Sequence, residues 1–476
     1  MISIIIYVDD QEFVARTVKS VLLATPSSLL TEVILIDDTG VMEYTPSDTR
    51  VRVIVQDSPV GRAVGRNRGA AEATGEVLVF LNQTCRPSDD WVVSLLEVVR
   101  EDPRTIAGPI ITGLDTNLWS ADPGQSLKWS WRWDLTPRDA YDDGQDWAVS
   151  LGSDCLAVAS DWFRELGGFD ELSRGGEQQE FCLRGWLCGG RVVPVRGSRV
   201  ASLSHEQVPD SVTKVRTAET WFGPLRDRFY RSSGLQDGQV DFGCLGQLSR
   251  VQSSLQIRDM RWLSDRYLPE LGRIWDLRDQ HRGKSVAIVC DGPSLDRINK
   301  WMVMRHEVII GVDYVASLYP CHYVVSLQRE PVRSLLMSGK YVQSQLILPS
   351  VLLGPDGRGQ TAVREVAPAA ITYELGEPGV SQHTVDPPFV NYGSPVLTAV
   401  QFAGFIGASD VTLYGWDGGL VDGRSHTKAV EHYNDGMYWE DGESTSQRYD
   451  YYNNGLQQLR RLLAGYRIPV MRVCYA

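Results

Sequence analysis

Over its first hundred residues the chain alternates short apolar runs with segments of helical period. Ile2 to Val8, Glu32 to Ile36, Val51 to Val55 and Glu76 to Leu81 read as strands, and Glu12 to Leu23, Gly61 to Ala73 and Asp90 to Val99 as helices. That alternation predicts a parallel sheet with helices on both faces, and such sheets hold ligands at the carboxyl ends of their strands. Those ends carry Asp9 and Asp10, Asp37 and Asp38, and Asn82 to Thr84. Helices are predicted again over 212–222 and 248–271. A polar, charged link around 274–284 then leads into SVAIVCDGPSL (285–295), where a second α/β pattern opens. NYGSPVLTAVQFAGFIGASDVTLYGWD (391–417) reads as a loop, a small-residue helix and a buried strand ending in Asp417. Residues 354–388, rich in Gly and Pro, read as a long excursion between elements. The expected organisation is an α/β nucleotide-binding domain over 1–235, a helical tail and linker over 236–280, and a second Rossmann-like α/β domain over 281–476.

Two local patterns carry candidate chemistry. In GFDELSRGGEQQEFCLRGWLCGG (168–190), Gly175 and Gly176 can take backbone conformations closed to other residues and leave room for a ligand beside Glu177. Phe181, Leu183, Trp186 and Leu187 then recur at helical spacing, and Gly189 and Gly190 can stop the helix. A surface loop before an ordinary amphipathic helix would show the same letters. Five tryptophans lie between Trp119 and Trp147, and Trp129, Trp131 and Trp133 alternate so that one strand face could hold all three. That wall is either core packing or a stacking surface for a sugar or an acceptor.

Composition narrows the classes. A chain of 476 residues, 43% apolar and 22% charged, is expected to form two or three globular domains, and no apolar run is long enough to cross a bilayer. Met1 leads straight into a strand with no basic leader, so a cytoplasmic location in a bacterial or virus-infected cell is expected. The eight cysteines show no CxxC pairing and read as reduced thiols, which argues against disulfides and structural zinc. The net charge of −13 repels a nucleic-acid backbone unless a local basic patch intervenes, whereas an anionic small molecule needs only a few arginines.

In order along residues 1–271, EVILIDD (32–38), GRAVGRNRGAA (61–71), WSWRWDLTPR (129–138), RGGEQQEFCLRGWLCGG (174–190), RTAETWFGPLRDRFYR (216–231) and RWLSDRYLPEL (261–271) resemble the catalytic domain of the polypeptide N-acetylgalactosaminyltransferases. The resemblance implies a GT-A fold over 1–235. It also implies a UDP-sugar donor and transfer of a GalNAc-like hexose, with retention, to a protein Ser or Thr. It gives catalytic roles to Glu177, Arg66 and Trp131. Asp37, Asp38, Arg66, Asn82, Thr84, Gly152 and Gly176 fall at the nucleotide sugar, with Asp37 or Asp38 pairing the uracil edge. Gln178 stands where the family's Gly-Gly-Glu-Asn motif has Asn.

The family's metal ligands, an Asp-x-His and a later His, fall on Asn82, Thr84 and Ser202, so a divalent metal such as Mn is in doubt; His205 is the nearest replacement. Arg62, Arg66, Arg68, Arg132 and Arg138 are then the candidates to neutralise the diphosphate, because guanidinium is permanently charged and grips phosphate through paired hydrogen bonds. The alternatives are a glycan or a modified nucleobase as acceptor, nucleic acid being the less favoured partner, or a catalytically dead nucleotide-sugar-binding module.

In the second half, VCDGPSL (289–295), IIGVDY (309–314), the run 391–417 and SHTKAVEHY (425–433) resemble the Rossmann-like domain of pterin pyrophosphokinase-like proteins and, more distantly, bacterial sialyltransferases. Gly292 and Pro293 turn the chain after a strand so that backbone amides and Ser294 can face phosphate. Asp313 would sit near a nucleotide, Asp417 at a strand end, and His426 or His432 would be the general base. The readings of the first domain meet in one expectation: Glu177 and the paired aspartates after the second strand share a nucleotide-sugar cavity.

Overall fold

A computed structural model of the chain describes residues 1–121, 128–140, 146–203, 208–268, 272–339, 343–354, 360–378, 384–391, 393–417, 427 and 442–473. It divides into two compact units, Met1–Tyr267 and Leu268–Ala476. Among the described residues no helix is long and apolar enough to cross a membrane.

The first unit is built on strands β1 (Ile2–Val8), β2 (Leu30–Asp37), β3 (Val51–Val55), β4 (Val77–Asn82), β5 (Cys85–Pro87), β6 (Thr105–Asp115), β7 (Ser120–Ala121), β8 (Lys128–Trp131), β9 (Pro137–Ala140), β10 (Cys155–Ala159) and β11 (Arg191–Ser202). Helices α1 (Val14–Ala24), α2 (Arg62–Glu72) and α3 (Trp91–Glu101) separate the first of these, as the apolar periods predict. The main sheet runs β3-β2-β1-β4-β10-β6-β11-β5. Its β3-β2-β1-β4 half is parallel, but β10 pairs antiparallel with both β4 and β6, so the sheet is mixed rather than wholly parallel. The reason is connectivity: a parallel neighbour needs a crossover, usually helical, and β10 follows a stretch with no described helix. Ile4, Ile6, Leu35, Val79 and Leu81 are fully or almost fully buried against Val14, Val18 and Trp91, which forms one face of the core.

After α4 (Ser160–Glu165), helix α5 (Glu177–Leu187) positions the candidate site, and all of its residues are buried, polar ones included. It is therefore not the half-exposed amphipathic helix of the plainer reading. Phe163 and Phe169 pack between Phe80 of the sheet and Phe181 of α5 with ring centroids 5.0 to 5.3 Å apart, which anchors α5 to the sheet. Its end is capped by Gly190 N–H donating to the Gly185 carbonyl at 2.8 Å and Gly189 N–H to Trp186 at 3.3 Å.

Three sequence expectations change. The stretch 248–271 holds two helices, Gly246–Leu255 and Met260–Tyr267, rather than one. Between them the Ile257 and Arg258 amides leave the helix to donate to the Leu187 carbonyl, each at 3.0 Å. The three-tryptophan wall does not form on one strand. β8 ends at Trp131 because Asp134 accepts from Thr136 N–H and hydroxyl and folds the next residues into a turn that carries Trp133. The stretch 354–388 contributes strands, described below, in place of a bare excursion.

The second unit has a fully parallel seven-stranded sheet. Its strands are β12 (Ser285–Val289), β13 (Val308–Val312), β14 (Tyr323–Val325), β15 (Gln345–Pro349), β18 (Ile371–Tyr373), β21 (Asp410–Tyr414) and β22 (Val470–Val473), in the order β18-β15-β14-β13-β12-β21-β22. Short ribbons β16 (Val351–Leu353) with β17 (Gln360–Ala362), and β19 (Leu375–Pro378) with β20 (Phe389–Asn391), decorate it. The predicted helix after 391 spans Pro395–Phe405, and its strand ends at Tyr414, three residues before Asp417.

Candidate active site

At the carboxyl end of β1 and the start of α2 lies a cavity of about 1000 Å³, lined among others by Tyr7, Asp9, Arg62, Arg174, Glu177 and Phe242. Glu177 opens α5 and is 2% exposed. The preceding Gly176 has φ +70°, and a Cβ there would stand 2.3 Å from Pro209 Cγ, so the space freed by the missing side chain is filled by a proline ring and not by a ligand.

Two arginines from α2 meet Glu177. Arg66 is 1% exposed, and its Nη1 lies 3.3 Å from Glu177 Oε1 and 3.4 Å from Gln178 Oε1, while Nη2 donates to the Ser153 carbonyl at 3.2 Å. Burial, with Arg62 beside it, lowers the Arg66 guanidinium to about 10, so it stays charged at neutral pH. Arg62 Nε is 3.7 Å from the same Glu177 oxygen. These helix positions are fixed by close packing: a Cβ on Gly65 would meet the Tyr7 ring at 2.7 Å.

The paired aspartates behave differently from one another. Asp38 accepts from Tyr7 Oη at 2.6 Å and from the Val60 and Gly61 amides at 2.7 and 3.0 Å, and so shapes the cavity floor from behind. Burial and that carboxylate push the Tyr7 phenol up, which keeps it a donor. Asp37 is fully buried and turns into its own loop, accepting from Thr39 N–H at 2.9 Å, Thr39 Oγ1 at 2.6 Å and Met42 N–H at 3.2 Å. Glu177 therefore shares the cavity with groups that Asp38 holds, whereas Asp37 does not line it. Asp9 does line it and accepts from Gln83 Nε2 at 2.6 Å, while Asp10 is exposed and caps Glu12 N–H.

The positions that the resemblance gives to a metal converge on a residue that sequence reasoning missed. Ser202 Oγ donates to Asp154 Oδ1 at 2.7 Å, and Asn82 also bonds the Asp154 carboxyl. Thr84 N–H and Oγ1 both stand 3.4 Å from Asn82 Oδ1. Burial pushes the Asp154 carboxyl up, against the pull of Ser202, Arg62, Arg66 and Asn82. One carboxyl, one amide and two hydroxyls that hydrogen-bond one another do not fit a transition-metal ion, and among the described residues no group of three or more His, Cys, Asp or Glu could hold a metal. His205 lies outside the described residues. Asp154 has no motif of its own; it reads as a turn residue before a buried strand.

Other candidates fall away from the cavity. Trp131 is fully buried and lines a small interior gap with Glu180 and Leu183, the core-packing alternative, so it does not take the catalytic place that the resemblance gave it. The Gly152 carbonyl is taken by Gln178 Nε2. Arg68 donates to Gln56 Oε1 at 2.6 Å, and Arg132 sits in the turn after β8. Arg138 lies on β9, and its side chain is outside the described part of the structure. A further residue not foreseen is Arg216. It grips Asp170 through two bonds of 2.6 and 2.8 Å and donates to the Phe242 and Cys244 carbonyls, so one buried guanidinium joins the loops 170–176 and 241–245 that wall the cavity.

In the second unit Gly292, Ser294, Asp313 and Asp417 come together at the carboxyl ends of β12, β13 and β21, where strand order changes direction. The phosphate-facing amides expected there are already paired: Gly292 N–H donates to the Gly415 carbonyl at 2.9 Å and Ser294 N–H to Asp417 Oδ2 at 2.8 Å. A carboxylate thus occupies the place read as a phosphate cradle. Asp313 accepts from Ser326 Oγ at 2.6 Å, and burial, then Asp291, raises it to about 7. His426 and His432 lie outside the described residues.

Residues 2–165 match the family model described as Glycosyl transferase family 2. Among curated proteins, Polypeptide N-acetylgalactosaminyltransferase 11 of Xenopus tropicalis is 28% identical over 57% of this chain and 51% of its own length. Polypeptide N-acetylgalactosaminyltransferase 15 of Homo sapiens is 29% identical over 54% and 45%. Inactive polypeptide N-acetylgalactosaminyltransferase-like protein 5 of Macaca fascicularis is 26% identical over 56% and 68%. The chain spans about half the length of the first two of these relatives. The crystal structure of GalNAc-T7 with UDP, GalNAc and Mn2+ aligns at a TM-score of 0.51 and 22% identity over 57% of each chain, a likeness of fold. Strand order, cavity position and these matches agree that the first unit carries a glycosyltransferase domain of the GT-A fold, matched by glycosyl transferase family 2.

Proposed function

We propose that the first unit transfers a GalNAc-like hexose from a UDP-sugar to a hydroxyl acceptor, a protein Ser or Thr, with retention and without a divalent metal. The observation that carries this reading is the cavity at the strand ends, where Arg62 and Glu177 face one space of about 1000 Å³. The relatives named as polypeptide N-acetylgalactosaminyltransferases support the donor and acceptor class. In the reaction the sugar C1–O bond to UDP breaks and a bond from C1 to the acceptor oxygen forms. The acceptor proton passes to the departing phosphate. Arg62 neutralises the charge that develops on the diphosphate, the role a metal plays where carboxylate and imidazole ligands are present. Glu177 orients the acceptor hydroxyl or the sugar. In the second unit the likeness to pterin pyrophosphokinase-like domains rests on sequence motifs alone, and we assign it no reaction.

Transfer from UDP-GalNAc to Ser/Thr peptides, followed by mass spectrometry in the presence and absence of excess chelator, tests this. Equal product in both is expected, and strict dependence on manganese would end the metal-free mechanism. A second reading is a donor-binding module without turnover, favoured by the hold of two arginines on Glu177. UDP binding with no hydrolysis of any nucleotide sugar would select it.

A further inference from the structure

Glu177 lies between two guanidiniums that differ in freedom. Arg66 is fully buried and fixed by the Ser153 carbonyl and Gln178. Arg62 keeps 13% of its side chain exposed, lines the cavity, and holds Glu177 only through Nε at 3.7 Å, beyond hydrogen-bond length. Its Nη1 is buried with no hydrogen-bond partner. A buried donor left unpaired is costly, and a guanidinium fork fits two anionic oxygens better than one distant carboxylate oxygen. Asp154, Tyr7 and Arg66 surround the same guanidinium, and none of them hydrogen-bonds to it.

We propose that Arg62 is a shared cation. It rests against Glu177 as the structure shows and turns to the diphosphate of the donor when that anion enters, leaving Arg66 as the one cation held against Glu177 Oε1. The inference rests on the donor-site reading above and adds that Glu177 competes with the donor for Arg62. Removing the Glu177 charge should then tighten anion binding, the opposite of what a direct ligand of the donor would do.

The test is calorimetry of the whole chain with inorganic pyrophosphate, UDP and uridine, each folded variant being checked by its thermal melt. Glu177→Gln should bind pyrophosphate and UDP about fivefold tighter or more, and Arg62→Gln roughly tenfold weaker or more, with uridine unaffected by either. In the double variant the gain from Glu177→Gln should vanish. The proposal is overturned if Arg62→Gln binds pyrophosphate like the unaltered chain. It is equally overturned if Glu177→Gln binds no tighter, or if its gain persists without Arg62, which would mark a general loss of negative charge. If the unaltered chain binds neither UDP nor pyrophosphate, the donor-site reading itself fails, a result distinct from those three.

Discussion

At the scale of single residues, the site is governed by which charges are already satisfied. Asp37 and Asp38 adjoin in sequence, yet one closes its own loop and the other supports the cavity floor through Tyr7 and Gly61. The sequence marks both positions as strand-end carboxylates and cannot say which way each turns, because that choice is made by Thr39, Met42 and the backbone of Val60 and Gly61. Asp313 in the second unit gives a pH signature. Its carboxyl rises from the ordinary 3.8 to about 7 in the folded chain, so the folded state binds a proton more tightly than the unfolded one. The stabilising contribution of the protonated form is complete below pH 3.8 and is lost as pH rises through 7. Asp313→Asn is therefore expected to raise the melting temperature at pH 8 and to leave it nearly unchanged at pH 4. A scan showing equal effects at both values would refute the assignment.

At the scale of elements, α5 is the piece on which the site depends. Arg184 holds Glu180 through two contacts and donates to the Leu166 and Gly168 carbonyls at 2.5 and 2.7 Å, while Trp221 Nε1 donates to Glu180 at 2.7 Å. Arg184→Met would leave a buried carboxylate without its cation and two carbonyls without a donor, at a cost of about 3–5 kcal/mol. Denaturant unfolding measures this, and a loss under about 1 kcal/mol would show that water reaches the pair. The apolar patterns located β1, β3, α2 and α3 to within two residues, because β1 is an apolar run buried on both faces and the helices each pack one consistent face. They did not locate the antiparallel entry of β10, the break at 256–259 or the turn after Trp131. Those are decided by contacts distant in sequence, such as the Leu187 carbonyl that draws the Ile257 and Arg258 amides out of helix. Glu177 was legible because glycines and a helical period surround it, and Arg66 through the family resemblance of residues 61–71. Asp154, Arg216 and Phe242 were not, since their partners lie 26 to 72 residues away.

At the scale of the whole molecule, the first unit presents a mixed sheet whose parallel half ends at a charged cavity, and the second a parallel sheet whose switch point gathers carboxyls in place of free amides. A net charge of −13 makes the arginines of the cavity local exceptions, which suits a small anion more than a nucleic acid. In the proposed reaction guanidinium, and not a divalent metal, receives the donor diphosphate. Calorimetric titration of UDP into the full chain in excess chelator tests it most directly. Metal-free transfer requires saturable binding whose affinity is unchanged when manganese is added; binding that appears only with manganese would contradict it.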